Sequence, residues 1–340
     1  MKRLLAAFTF VAIFLTGCGD NTAVAPPTET MADATKKIVI AFLPKQKGVP
    51  YFTSCAEGAE LAAKELGNIE IKYDGPTDGS PEKAAELIEQ WVLKGVDVIA
   101  VSCNDPAVLS PALKKAREKG VKVITWDADS DKDSRDFFVN QPTAEQIGFG
   151  LVDAMAKDLG GDSATGEVAI VTARLTAANQ NEWMKHMNVR LAKYPGLKLV
   201  ATKPSNEDQK LAFEVTSGLI KAYPGLKGVF GISSVAFPGA AEAIKQAGKS
   251  GSVLITGLST PNDMKAYVME GTVKSVLLWD TRDLGYLTVE VAAALARGEL
   301  KPGATTFTSR KLGERKIEGD NVLLGDPMVF NKENIGKYDF

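Results

Sequence analysis

Val96-Asp97-Val98-Ile99-Ala100-Val101-Ser102-Cys103-Asn104-Asp105-Pro106 is a short apolar run with a polar loop at its end. Val96–Ser102 is almost wholly apolar, as a strand covered on both faces should be. Such a strand needs helices above and below it, and the neighbouring sequence supplies them. Upstream, Ser80-Pro81 reads as a helix start, with serine able to cap and proline preset for the first turn. That helix runs to Lys94 and stops at Gly95. Downstream, Pro111–Lys119 reads as a helix ended by Gly120, and Val121–Trp126 as the next strand.

The alternation extends in both directions. Ile38–Leu43 is a strand, Phe52–Leu66 a helix stopped by Gly67, and Ile69–Tyr73 a strand. Further on come a helix (Thr143–Leu159), a strand (Glu167–Thr172), a helix (Asn181–Lys193) and a strand (Leu197–Ala201). A helix over Lys210–Ala222 and strands over Gly228–Ile232, Val253–Thr256 and Val276–Leu278 follow. Tyr-Pro-Gly-Leu-Lys occurs twice, at Tyr194–Lys198 and Tyr223–Lys227, each time where a helix gives way to a strand. The expected class is α/β, with two doubly wound parallel sheets, because so many units exceed one comfortable sheet.

The chain has 340 residues, 45% of them hydrophobic and 24% charged, with a net charge of -2. That balance suits a globular protein and lacks the basic face that nucleic-acid binding needs. The N-terminus is different in kind. Lys2-Arg3, an apolar run from Leu4 to Leu15 and Leu15-Thr16-Gly17-Cys18 read as an export signal, expected over 1–17. The run is shorter than the ~20 residues of a comfortable membrane span. Residues 18–36, rich in Thr, Ala and Pro, read as a flexible tether.

Cys55 and Cys103 could pair, but a domain with a full core needs no staple, and buried thiols are the expected state. No Cys/His cluster has metal spacing, and His186, the single histidine, falls in a helix. Phosphate-binding Gly-rich loops and a Gly-x-Ser-x-Gly elbow are missing. Gly148-Phe149-Gly150 lies inside a helical pattern and reads as a packing feature. No cofactor, no metal and no enzyme activity are expected.

Ligands of doubly wound sheets bind beyond the carboxyl ends of the strands. Those ends carry Lys45, Tyr51 and Phe52; Asn104 and Asp105; Asp127; Asn179, Gln180, Asn181 and Trp183; Ser234; and Trp279 and Asp280. Carboxylates, amides, hydroxyls and aromatics are what a polyol requires. Polar groups pair its hydroxyls, and aromatic faces cover its C–H side. Each also has a plainer reading. Asn104, Asp105 and Asn179 can be helix caps, the aromatics (with Trp126) core, and Asp280-Arg282 a surface pair.

Several stretches resemble periplasmic sugar-binding proteins of the ribose-binding type, especially the rhamnose-binding and autoinducer-2-binding subgroup. They are Tyr73-Asp74-Gly75-Pro76-Thr77, Pro111–Ala116, Thr125-Trp126-Asp127, Asn179-Gln180-Asn181-Glu182-Trp183, Leu278-Trp279-Asp280 and Phe330–Phe340. The resemblance covers Lys37–Phe340. It implies the type I binding-protein fold, two lobes joined by a three-segment hinge that close on ligand. One lobe maps to 37–128 plus 280–305, the other to 129–279 plus 306–340. It implies a monosaccharide ligand, an ABC permease partner, a monomer, and ligand contacts from Lys45, Asp127 and Gln180. Tyr51-Phe52 and Asp105 match places where ribose-type binders put stacking aromatics and a hydroxyl-binding Asp. Asn179 stands where autoinducer-2 binders carry Asp, and Ile232-Ser233-Ser234 replaces their Pro-x-Ala, which favours a deoxyhexose such as rhamnose, or a pentose. The resemblance of Leu15–Cys18 to a lipobox implies a lipid on the Cys18 sulfur and a periplasmic or cell-surface location. The alternative is an autoinducer-2 receptor of the same fold.

Overall fold

A computed structural model describes residues 37–340. The export signal, Cys18 and the tether lie outside the described residues. The order is β1 (Ile38–Leu43), α1 (Pro50–Leu66), β2 (Ile69–Tyr73), α2 (Pro81–Leu93), β3 (Val98–Val101), α3 (Pro106–Glu118), β4 (Lys122–Trp126) and β5 (Phe137–Asn140). Then come α4 (Ala144–Asp158), β6 (Gly166–Thr172), α5 (Ala178–Leu191), β7 (Leu197–Pro204), α6 (Gln209–Ala222), β8 (Leu226–Gly231), α7 (Ala236–Gln246), β9 (Leu254–Gly257), α8 (Pro261–Glu270) and β10 (Val276–Leu278). The chain ends with α9 (Thr281–Ala296), β11 (Thr306–Ser309), β12 (Gly313–Glu318), β13 (Asn321–Leu323) and β14 (Met328–Phe330).

The larger sheet runs β2-β1-β3-β4-β5-β13-β12-β11 and the smaller β7-β6-β8-β9. From β2 to β13 every pairing is parallel, and β12 and β11 add an antiparallel edge. The smaller sheet is wholly parallel. Strand order reverses between β1 and β3 and again between β6 and β8, which gives each sheet a topological switch point. β10 pairs with β14 in a separate two-stranded ribbon.

Period-2 alternation is visible in β1. Ile38, Ile40 and Phe42 join the core that also holds Cys55 and Ala59 of α1 and Leu284 of α9. Ala41 and Leu43 join a second core with Ile88 of α2 and Leu109 and Leu113 of α3. All four residues of β3 are buried, as a strand sandwiched between helices must be. Ser80 caps α2 by accepting from the Lys83 amide, and Thr143 and Gln146 form a reciprocal capping box at α4.

Helix α1 meets α9 at glycine. A Cβ on Gly58 would lie 1.8 Å from the Arg282 carbonyl oxygen, and one on Gly285 would lie 1.8 Å from that of Cys55. Only hydrogen at both positions lets the backbones approach this closely. Gly148 does the same for α4 against α5, where a Cβ would sit 2.7 Å from His186 Cβ, in line with the packing role expected of it.

The strands move two expected lobe boundaries. Residues 129–140 and 306–323 were expected in the second lobe, yet β5, β11, β12 and β13 hydrogen-bond into the larger sheet. The chain therefore leaves that sheet after Asn140 and, finally, after Leu323. β5 is only four residues long, and β12 is largely charged, so neither carries a strong apolar signal. Cys55 and Cys103 are buried free thiols.

Candidate functional site

The carboxyl ends of both sheets line one cavity with about 700 Å³ of atom-free space, part of it open to solvent. The larger sheet contributes Lys45 after β1, Asn104 after β3 and Asp127 after β4. The smaller contributes Arg174 after β6, Glu207 after β7 and Ser233-Ser234 after β8. Both switch points thus open onto the same space. Tyr51 and Phe52 enter from the first turn of α1, Trp183 from α5, and Trp279 from the segment joining β10 to α9.

The aromatics form a connected wall. Tyr51 meets Phe52 edge-on at 5.0 Å and Trp279 at 6.1 Å, and Trp279 meets Trp183 at 6.2 Å. Asp127 organises the polar side. Its Oδ1 accepts from the Tyr51 hydroxyl at 2.9 Å, and its Oδ2 accepts from the Ser102 hydroxyl at 2.6 Å. Lys45 Nζ lies 3.5 Å from Asp127 Oδ2 and donates to Asn179 Oδ1 at 3.1 Å. The Trp279 indole donates to the Tyr51 oxygen at 3.1 Å. Burial and the nearby Asp127 push the Tyr51 hydroxyl well above its ordinary pKa, so it stays a donor. Asp127 itself has φ 61°, a left-handed conformation rare for a residue with a Cβ.

Two residues lining the cavity have polar capacity that the protein does not use. The Asn104 amide donates to the Gly79 carbonyl at 2.6 Å, while its buried Oδ1 has no partner among the described residues. Gln180 is buried, and its Oε1 accepts from the Thr172 hydroxyl and the Ala173 amide. No hydrogen bond from its Nε2 exists among the described residues. The cavity lining thus carries an unpaired acceptor and an unpaired amide donor, while the Asp127 carboxylate is largely occupied by protein.

Residues 40–300 match the family model of a periplasmic binding protein domain. The chain belongs to the periplasmic binding protein family. A sugar ABC transporter protein from Actinomyces odontolyticus is 38% identical, with a TM-score of 0.73 over 89% of this chain and 98% of that one. An ABC transporter solute-binding protein from Clostridium phytofermentas, solved with bound L-rhamnose, is 28% identical, with a TM-score of 0.83 over 89% of this chain and 98% of that one. LsrB from Clostridium saccharobutylicum, in complex with AI-2, is also 28% identical, with a TM-score of 0.84 over 89% of this chain and 100% of that one. The family and α/β fold expected from the sequence hold.

In this binding protein, ten of the expected site residues line the cavity: Lys45, Tyr51, Phe52, Asn104, Asp127, Asn179, Gln180, Trp183, Ser234 and Trp279. Three do not. Asp105 caps α3, its Oδ1 accepting from the Ala107 amide at 3.0 Å. Asp280 caps α9, accepting from the Asp283 amide at 3.0 Å, and burial raises its carboxyl pKa. Its supposed surface partner Arg282 pairs instead with Glu57 at 2.8 Å. Asn181 turns away and donates to the Leu175 carbonyl at 2.9 Å. Asn179 lies within α5, whose N-cap is Ala177, so its alternative reading as a cap does not stand. Trp126 is core, stacked on Phe42 at 4.5 Å. Ser233, named in the sequence only as part of Ile232-Ser233-Ser234, also lines the cavity, as do Gln46, Arg174 and Glu207, which were not singled out.

Among the described residues no group of three or more His, Cys, Asp or Glu could hold a metal ion, and no helix is long and apolar enough to cross a membrane.

Proposed function

We propose that this chain is the sugar-capturing component of an ABC importer, a binder and not an enzyme, which holds one monosaccharide between two closing lobes and presents it to a permease. A 6-deoxyhexose such as rhamnose, or a pentose, is the ligand class favoured. The observation that carries this reading is the cavity where both sheets' switch points meet: an aromatic wall on one side, with Asn104 Oδ1 and the Gln180 amide left open. A ligand hydroxyl that fails to pair such a group costs about 1–3 kcal/mol, so a fixed polar set discriminates among stereoisomers. Apolar Ile232, Leu258 and Leu278 complete the lining and suit a methyl-bearing ring.

The lobes proposed here are the two sheet units, 37–140 with 281–323 and 144–278 with 328–340. Ligand favours the closed form by touching both. Lys45 to Asn179 and Arg174 Nη2 to the Asp78 carbonyl, at 3.1 and 3.2 Å, are direct contacts between the two sides in this structure.

Calorimetry against 6-deoxyhexoses, pentoses, hexoses and autoinducer-2 tests the reading. Binding of one sugar with micromolar or better affinity is expected; failure to bind any sugar overturns it. Binding of autoinducer-2 alone would favour the receptor reading, which draws on Lys45, Asp127 and Gln180 all lining the cavity. Membrane anchoring through Cys18 is part of the proposal. Cys18→Ser should shift the exported protein from the detergent to the aqueous phase, and unchanged partitioning would refute the anchor. The protein is proposed to act as a monomer.

A further inference from the structure

Asp127, Asn206 and Glu207 are the non-glycine residues with left-handed backbone among the described residues. Two of them, Asp127 and Glu207, line the cavity with carboxylates. Glu207 has φ 58° and follows Asn206 at φ 53°, so a glutamate is held in a conformation rare for a residue with a Cβ, beside an asparagine that tolerates it. The surroundings enforce it. The Ser205 amide donates to the Thr172 carbonyl at 2.8 Å, and the Asn206 amide to the Ala173 carbonyl at 2.7 Å. These bonds tie the loop after β7 to the end of β6 and turn residue 207 toward the cavity. The Ser233 hydroxyl then donates to Glu207 Oε2 at 2.8 Å, while the Val235 and Ala236 amides donate to Ser233 Oγ at 3.3 and 3.0 Å. Glu207 Oε1 has no hydrogen-bond partner among the described residues.

A loop that fixes one carboxylate oxygen of a cavity-lining residue and leaves the other without a protein partner has no structural use for the second oxygen. We infer that Glu207 is a ligand-contacting, specificity-determining residue whose Oε1 accepts a ligand hydroxyl from the smaller-sheet side. This rests on the sugar-binding reading above and adds to it the residue that chooses among sugars. Asp127 is engaged by Tyr51, Ser102 and Lys45. Glu207 thus offers the less occupied of the two cavity carboxylates. A sugar carrying a hydroxyl at that position satisfies it, whereas a deoxy position or the wrong epimer leaves a desolvated carboxylate oxygen unpaired. The charged and titratable groups acting on Glu207 are Lys45 after β1, Asp127 after β4 and Arg174 after β6. Burial raises its carboxyl above the ordinary range, against the opposing pull of Lys45 and Ser233.

The test is calorimetry of wild type, Glu207→Gln and Glu207→Asn against the same sugar panel, with thermal melts of each. Glu207→Gln should weaken the preferred sugar about tenfold or more and change the order of the panel, since hydrogen bonds to charged groups are the strong ones. Glu207→Asn should melt no lower than wild type, because asparagine tolerates the left-handed region, while losing affinity to a similar extent. A merely structural Glu207 predicts the opposite, a lower melting temperature with panel order intact, and that result overturns the inference. So does wild-type affinity and order in both variants. If wild type binds no sugar at all, the sugar reading fails first and this inference falls with it. If wild type binds and only Asp127 variants lose binding, Glu207 alone is refuted.

Discussion

Asp127 sits at the centre of the cavity's polar network, receiving Tyr51, Ser102 and Lys45 at once. It orients these donors and, on the proposed function, touches ligand as well. Asp127→Asn keeps the size and tolerates φ 61°, but withdraws the charge facing Lys45. Binding should fall about tenfold or more with little loss of fold, and Asp127→Ala should abolish it. Wild-type affinity in either variant would refute the assignment. Glu207 gives a pH prediction of definite sign. Burial raises its carboxyl pKa in the free protein, and an accepted ligand hydroxyl favours the ionised form. Ligand binding should therefore release protons, and affinity should fall as pH drops through the raised range. Without ligand the folded protein holds that proton more tightly than the unfolded chain. The group's contribution to stability accordingly falls as pH rises from the unfolded pKa through the folded one. Calorimetry in buffers of different ionisation enthalpy reads the proton count; none released would contradict the assignment.

At the scale of elements, the α1–α9 contact and the Arg135 cluster bear the largest predicted costs. Gly285→Ala places a methyl on the Cys55 carbonyl and should lower unfolding free energy by about 1–3 kcal/mol or more, read by urea denaturation. Arg135 has a fully buried side chain that grips Asp129 through Nε and Nη2, at 2.8 and 2.6 Å, and pairs with Asp320 through Nη1 at 2.6 Å. It binds the loop after β4 to the turn between β12 and β13. Arg135→Ala removes the cation shared by two partly exposed carboxylates and should cost about 1.5–3 kcal/mol. An unchanged urea midpoint would exclude either account.

The same scale explains what could be read beforehand. Strands covered on both faces and helices opened by Ser-Pro or Thr-x-x-Gln declare themselves by composition and capping. Helix α5 begins at Ala178, three residues before the expected Asn181, because its cap Ala177 offers no side-chain bond. Helix α3 starts at Pro106 and continues through Pro111, which had looked like its first residue. β7 runs to Pro204, beyond the expected Ala201, since an edge strand is only partly covered and its last residues are not apolar. The longer strand moves the following loop to 205–208 and puts Glu207 at a strand end, as Lys45, Asn104 and Asp127 are. Conversely, Asp105, Asn181 and Asp280 lie at strand ends but turn aside. The sequence places a residue near the cavity; side-chain partners decide which way it faces.

The molecule as a whole joins two sheets by crossovers after β5, after β10 and after β13. Ligand that bridges both sides should reduce the radius of gyration in small-angle scattering, and no change on saturation with a bound sugar would refute closure. Lys45→Met together with Asn179→Ala removes a direct contact between the sides. The ligand-free pair should then be more expanded than wild type.

Trp279 ends the segment after β10, touches Trp183 and Tyr51, and lines the cavity. All four tryptophans are buried, and of them Trp183 and Trp279 also line the cavity. One of the two chromophores most exposed to a change in occupancy, Trp279, is thus built into the crossover itself. Excitation at the indole band should give an emission shift or quench on filling the cavity. A Trp279→Phe variant would keep the wall aromatic and dim that signal, so the protein carries its own optical titration.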